Sequence, residues 1–240
     1  MITLLAILLA AYLAVCALLF VRQRSMLYFP QAYEGGTVLA LAGGLRLGVT
    51  RFEQPGPGAV IYFGGNAEAV PDSLPELQAA FPAQSLYLMH YRGYGATPGT
   101  PTEAGLYADA LALYDYVRAR HPQVTLVGRS LGSGIATRLA SERAVDRLLL
   151  VTPYDSMAGV AAHHYRWLPV GLLLRDRYDA ARYAAQVNAP TTILAAERDE
   201  IIPRASSEAL YRSFRPGLAT FHLVPGASHN DISLRAVKLD

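Results

Sequence analysis

The apolar positions divide the chain into two unequal parts. Residues 2–21, ITLLAILLAAYLAVCALLFV, hold no charge, proline or glycine. At about 1.5 Å per residue, a helix of that length reaches roughly 30 Å, the hydrocarbon thickness of a bilayer. It has no polar face, which a core helix beside solvent would need. Arg22 and Arg24 follow at once. The stretch has no basic leader and no A-x-A cleavage site, and it is too long for the apolar core of a signal peptide. LAVC, ending at Cys16, has valine where a lipoprotein box wants a small residue, and apolar chain continues beyond it. The expectation is an uncleaved N-terminal transmembrane anchor over residues 1–24.

From residue 25 onward the pattern changes to short runs. Strands are expected at 45–52, 59–64, 85–91, 124–128, 147–153, 191–197 and 219–226, and helices at 72–81, 102–121, 131–142 and 205–214. Thr102 is a good N-cap for the long amphipathic helix, and a short terminal helix can start at Asp231. The strands are continuously apolar and alternate with helices, which predicts a parallel sheet covered on both faces. Residues 155–189 break this rhythm with aromatics and arginines and read as a short cap insertion. The fold class is therefore α/β, a doubly wound, mostly parallel sheet over residues 25–240, with the cap and an N-terminal transmembrane helix.

Composition narrows the function classes. Of 240 residues, 52% are hydrophobic and 17% charged, which argues against disorder. The net charge of +2, without a basic cluster, gives no footprint for nucleic acid. A single cysteine excludes a disulfide framework and a cysteine-based zinc site. No phosphate-binding G-x-x-x-x-G-K-[ST] and no H-E-x-x-H occur. GYGATPG (93–99) lacks dinucleotide-loop spacing and reads as the rim of a crevice. No cofactor or metal is implied.

LVGRSLGSG (126–134) runs from an apolar strand into a helix, with Gly128 and Gly132 flanking Ser130. Loops at the carboxyl ends of parallel strands form the binding crevice of such sheets. Gly-x-Ser-x-Gly there makes a sharp turn that lifts the hydroxyl at a helix N-terminus. The Leu131 N–H faces the same space and suits an oxyanion. Ser133 reads as a plain helix residue. A nucleophilic serine needs a base oriented by a carboxylate. Of six histidines, His229 follows the last strand at the crevice end. His90 ends a strand, His121 ends a helix and faces solvent, His163 and His164 lie in the cap, and His222 reads as a packed strand residue. Asp199 follows the preceding strand on the same side, with Glu200 its neighbour and Asp155 a rival one strand earlier.

Ser130, Asp199 and His229, with YFGGNAEA, YRGYGATPGTPTEAGLYADA and GASHND, resemble the α/β-hydrolase fold family. The chain looks most like that family's single-pass, membrane-anchored serine hydrolases, some of which deacylate lipidated protein cysteines. The resemblance implies that the loop carrying Gly65 and Asn66 supplies a second oxyanion donor, the Asn66 backbone N–H. Two departures stand out: Gly64 replaces the family's usual histidine, and Ser228 stands where relatives have glycine.

The expected activity is hydrolysis of an ester or thioester of a small-molecule or acylated substrate, through an acyl-enzyme on Ser130. A peptidase or amidase of the same fold, and a non-catalytic binding protein, are the alternatives. An ester-against-amide panel separates the first, and fluorophosphonate labelling the second. The arginines after the anchor predict a cytoplasmic domain.

Overall fold

The computed structural model describes residues 1–33 and 36–234. The first helix, α1 (Ile2–Leu27), contains the whole apolar run and continues through Arg22 and Arg24. It is long and apolar enough to cross a membrane, and Leu4, Leu5, Leu8 and Leu13 are exposed on it.

Behind α1 lies an eight-stranded sheet of order β1-β2-β4-β3-β5-β6-β7-β8. β1 (Thr37–Ala40) and β2 (Arg46–Phe52) form an antiparallel hairpin, and β2 runs antiparallel to β4 (Ser85–Met89). All pairings among β4, β3 (Gly58–Phe63), β5 (Gln123–Arg129), β6 (Arg147–Val151), β7 (Thr191–Ala196) and β8 (Ala219–Val224) are parallel. The pattern missed β1, whose four residues contain one buried position and are followed by Gly43 and Gly44 at positive φ.

Both faces of the sheet are covered, which is why its central strands have no polar alternation. Ile61, Leu126, Leu150 and Ile193 point to one side and pack with α3 (Glu103–Arg118) and α4 (Leu131–Glu142). Their chain neighbours Val60, Val127, Leu149 and Leu194 point to the other, against Leu77 of α2 (Leu74–Ala80) and Ile232. Each such fully buried side chain contributes about 1.5–3 kcal/mol. The Gly105 N–H donates to Thr102 Oγ1, fixing the start of α3 at the expected cap. On the first face the cover continues with α8 (Arg204–Ser213), whose Leu210 is buried in the same core beside β7 and β8.

Between β6 and β7 stand three short helices, α5 (Met157–His164), α6 (Val170–Leu173) and α7 (Ala180–Ala184). They occupy the stretch where the rhythm breaks. α1 is docked on this region. Its Gln23 donates to the Leu173 carbonyl and accepts from the Arg175 N–H, and Arg24 pairs with Asp176 at 2.9 Å. Two histidines depart from expectation. His121 is only half exposed: it packs on Tyr87, its Nε2 3.0 Å from the phenol oxygen. His222 is exposed, because β8 is an edge strand and the position alternates outward. Most of the terminal helix expected from Asp231 falls outside the described residues.

Candidate active site

Ser130 sits between β5 and α4 with φ 48° and ψ −117°. A side chain seldom adopts this conformation, at a cost of about 1–3 kcal/mol that the surroundings must hold in place. They do so by close packing. The Ser130 N–H donates to the Val151 carbonyl on the neighbouring strand (2.9 Å), and the Gly132 N–H donates to the Gly64 carbonyl (3.1 Å). A Cβ on Gly132 would lie 2.1 Å from the Phe63 carbonyl oxygen, and one on Gly128 2.6 Å from that of Gly132. Both glycines are therefore demanded by the turn.

His229 and Asp199 stand on the loops after β8 and β7. Those loops are joined by Arg198 N–H to Ala227 carbonyl (2.9 Å) and Gly226 N–H to Glu197 Oε2 (2.7 Å). His229 Nε2 lies 3.0 Å from Ser130 Oγ, and its Nδ1 lies 2.9 Å from both carboxylate oxygens of Asp199. The His229 and Asp199 side chains are 5% and 4% exposed. Asp199 Oδ1 also accepts the N–H groups of Ile201 (3.0 Å) and Ile202 (2.7 Å), which fixes its plane. An ionised carboxylate only accepts, so Nδ1 carries the proton and the Nε2 lone pair faces the serine hydroxyl.

The other candidates lie elsewhere. Asp155 accepts a hydrogen bond from Ser206 Oγ, and Glu200 is exposed. His90 is fully buried against Thr50 Oγ1 (2.8 Å), and burial lowers it to about 4, keeping it neutral. His163 and His164 are exposed on the cap. Ser133 is buried within α4.

The loop after β3 closes the other side. Among the described residues, neither the Asn66 N–H nor the Leu131 N–H has a hydrogen-bond partner, and both residues line the same cavity as Ser130. The rest of the loop is committed. Gly64 O accepts from Tyr91 Oη (2.7 Å), and Asn66 O accepts from Tyr94 Oη (2.5 Å) and the Phe29 N–H (3.1 Å). The Asn66 amide donates to the Leu27 carbonyl (2.8 Å).

Sequence reasoning missed Glu68. Its carboxylate accepts from the Gly65 N–H (2.7 Å), Tyr62 Oη (2.7 Å) and Ser73 Oγ (2.5 Å). It also explains Gly64: a Cβ there would lie 2.9 Å from Glu68 Oε2 and 2.6 Å from Val70 Cγ1. With Glu68 at its back, the loop is held despite the glycine pair. The one sequence signal was a lone carboxylate in a loop of small residues.

The cavity beside Ser130 has a volume of about 850 Å³ and mostly apolar walls. Leu131, Met157, Val160 and Leu173 come from the sheet top and cap, and Val15 and Leu19 from α1. The arrangement can accept the proton of a serine hydroxyl as its oxygen attacks, receive an oxyanion on two backbone N–H groups and seat an apolar chain.

A family model described as alpha/beta hydrolase fold matches residues 59–188. An uncharacterized protein of Mycobacterium tuberculosis is 35% identical over 233 residues, covering 89% of this chain and 82% of that protein. The lysophosphatidylserine lipase ABHD12 of Macaca fascicularis is 32% identical over 171 residues, covering 60% of this chain and 42% of the lipase. Among solved structures, the Pyrococcus furiosus esterase Pf2001 superposes with a TM-score of 0.67 at 13% identity, covering 89% of this chain and 92% of the esterase.

Proposed function

The chain belongs to the α/β-hydrolase fold family, and on that premise we propose that it is a membrane-anchored serine hydrolase cleaving a carboxylic ester or thioester. The observation carrying this reading is the hydrogen-bonded chain Ser130 Oγ, His229 Nε2, His229 Nδ1, Asp199. Ser130 Oγ attacks the acyl carbonyl while its proton passes to His229 Nε2. The oxyanion forms against the N–H groups of Leu131 and Asn66. Collapse breaks the bond to the leaving oxygen or sulfur, which takes the proton from Nε2, and an acyl-enzyme remains. Water then attacks, giving its proton to Nε2; the carboxylic acid departs and the proton returns to Ser130. Asp199 keeps the imidazole in one tautomer and stabilises its cation.

The apolar cavity favours an acyl chain over a peptide as the bound group, since it offers few polar partners for a backbone. Relatives and fold neighbours named as a lipase and an esterase agree with this. The test is a panel of acyl esters and thioesters set against aminoacyl amides of the same leaving group. Faster turnover of the amides would replace this reading with a peptidase.

α1 supplies the anchor in this reading, with its apolar run in the bilayer and the catalytic domain on the cytoplasmic side, beside Arg22 and Arg24. Protease added to sealed cells should leave residues beyond 24 intact; digestion without lysis would reverse the orientation.

A further inference from the structure

α1 does more than lead into the hydrolase fold: one of its faces is docked on the cap. The face carries Tyr12, Cys16, Leu19, Gln23 and Leu27, at the three- and four-residue spacing of a single helical stripe. At its upper end are the Gln23 and Arg24 hydrogen bonds, with the Arg175 guanidinium 4.0 Å above the Phe20 ring. Far down the helix, Tyr12 Oη donates to the Trp167 carbonyl (3.0 Å), and the two rings meet edge to face at 6.5 Å. Tyr12 lies midway along the apolar run 2–21. A helix that places this run in hydrocarbon therefore carries Trp167 into the hydrocarbon with it.

The cap tip, residues 165–174 (YRWLPVGLLL), has the surface for that environment. Trp167 is 58% exposed and Leu172 86%, large apolar side chains of the kind that membrane-contacting surfaces carry. Its one charged residue is Arg166, whose stem is long enough to carry the guanidinium toward headgroups. The active-site cavity lies between these two elements. Val15, Leu19 and Leu27 of α1 line it from one side and Trp167 and Leu173 from the cap, and Ser130 and His229 are in the same lining. From Leu27 to Val15 the wall runs roughly 18 Å along the helix, about the depth of one leaflet.

We propose that α1 is the bilayer-side wall of the acyl cavity, that the cap tip sinks into the same leaflet, and that the substrate is a long-chain acyl amphiphile passing from the leaflet to Ser130 without crossing water. This rests on the anchored serine-hydrolase reading above. It makes the anchor part of the binding site, where a tether would only raise local concentration. The acyl chain exchanges lipid neighbours for α1 and cap side chains. The ester meets the serine beside the Asn66 loop, which is tied to the Leu27 carbonyl at the end of α1.

Two measurements on the full-length protein in phosphatidylcholine vesicles test this. The first uses a fluorophosphonate with a long alkyl chain and a diazirine at its far end. After labelling of Ser130 and illumination, mass spectrometry should find most crosslinks in the α1 peptide. Labelling of Ser130 with crosslinks confined to other segments overturns the inference alone. No labelling overturns the serine reading, and the inference with it. The second uses Trp167, the only tryptophan of the chain. In vesicles with brominated acyl chains its fluorescence should be largely lost, while aqueous iodide leaves it unchanged. If the protein floats with the vesicles but iodide quenches Trp167 and bromine does not, the cap lies in water and the inference falls. Failure to float overturns the anchor reading and the inference together.

Discussion

Asp199→Asn is the substitution whose effect can be worked furthest from the geometry. The carboxylate receives the His229 Nδ1 proton and, on Oδ1, the N–H groups of Ile201 and Ile202. Asparagine has one acceptor oxygen and one amide donor. The two backbone N–H groups hold the oxygen, so the amide nitrogen turns to His229. It then donates to Nδ1, and the proton of the neutral ring moves to Nε2. That nitrogen lies 3.0 Å from Ser130 Oγ and can no longer accept its proton. The expected loss is about 10³–10⁴ in kcat, or roughly 4–5.5 kcal/mol of transition-state stabilisation, the scale known for this change in serine proteases. Because the side chains have nearly equal volume, folding and KM should change little. Asp155→Asn is the control, since the half-buried Asp155 meets Ser206 and not the histidine; its kcat should stay within about threefold, because asparagine keeps an acceptor for Ser206 Oγ and the catalytic hydrogen bonds are untouched. Steady-state kinetics on a soluble acyl ester, with circular dichroism to check the fold, suffices. Asp199→Asn within tenfold of the parent, or an equal loss in Asp155→Asn, would refute the tautomer reasoning.

Glu68→Ala should lower kcat by about 10–100-fold by releasing the Gly65 N–H and the loop that aims Asn66, whereas Glu68→Gln should recover most of it, because the Tyr62 and Ser73 hydroxyls can rotate to accept from the amide; equal losses in both would give Glu68 a charge-based role instead. Gly132→Ala should fail to yield folded protein, since a Cβ 2.1 Å from the Phe63 carbonyl oxygen has no room, and a folded, active alanine variant would contradict the tight elbow. His90 is held neutral by burial, its value lowered to about 4, while the unfolded chain takes up a proton below about 6.5. Stability is therefore full above that pH and falls from about pH 6.5 toward 4, by no more than ~3 kcal/mol; His90→Gln should flatten this slope in denaturant titrations, and an unchanged slope would locate the sensitivity elsewhere.

Much of this was legible in the sequence, for identifiable reasons. Central parallel strands buried on both faces show as unbroken apolar runs, so β3 to β7 stood out. The elbow showed because packing allows only glycine at 128 and 132. Asp199 and His229 could be chosen by position, each following a strand at the crevice end. Other features depend on contacts between distant segments and left weak local signals. β1 is too short for a period. The surroundings of His121 are set by Tyr87, a residue 34 positions away. Glu68 gains its meaning from Tyr62, Gly65 and Ser73 together. The docking of α1 on the cap joins residues more than a hundred positions apart, and a uniformly apolar helix does not reveal which face is covered.

The central claim is that Ser130 is the nucleophile, and covalent capture tests it most directly. A fluorophosphonate should label the full-length protein at one site, identified by mass spectrometry as Ser130. Ser130→Ala should lose all labelling and roughly 10⁴-fold or more of kcat while remaining folded. A folded Ser130→Ala protein that still labels, or that hydrolyses acyl esters undiminished, would contradict the account.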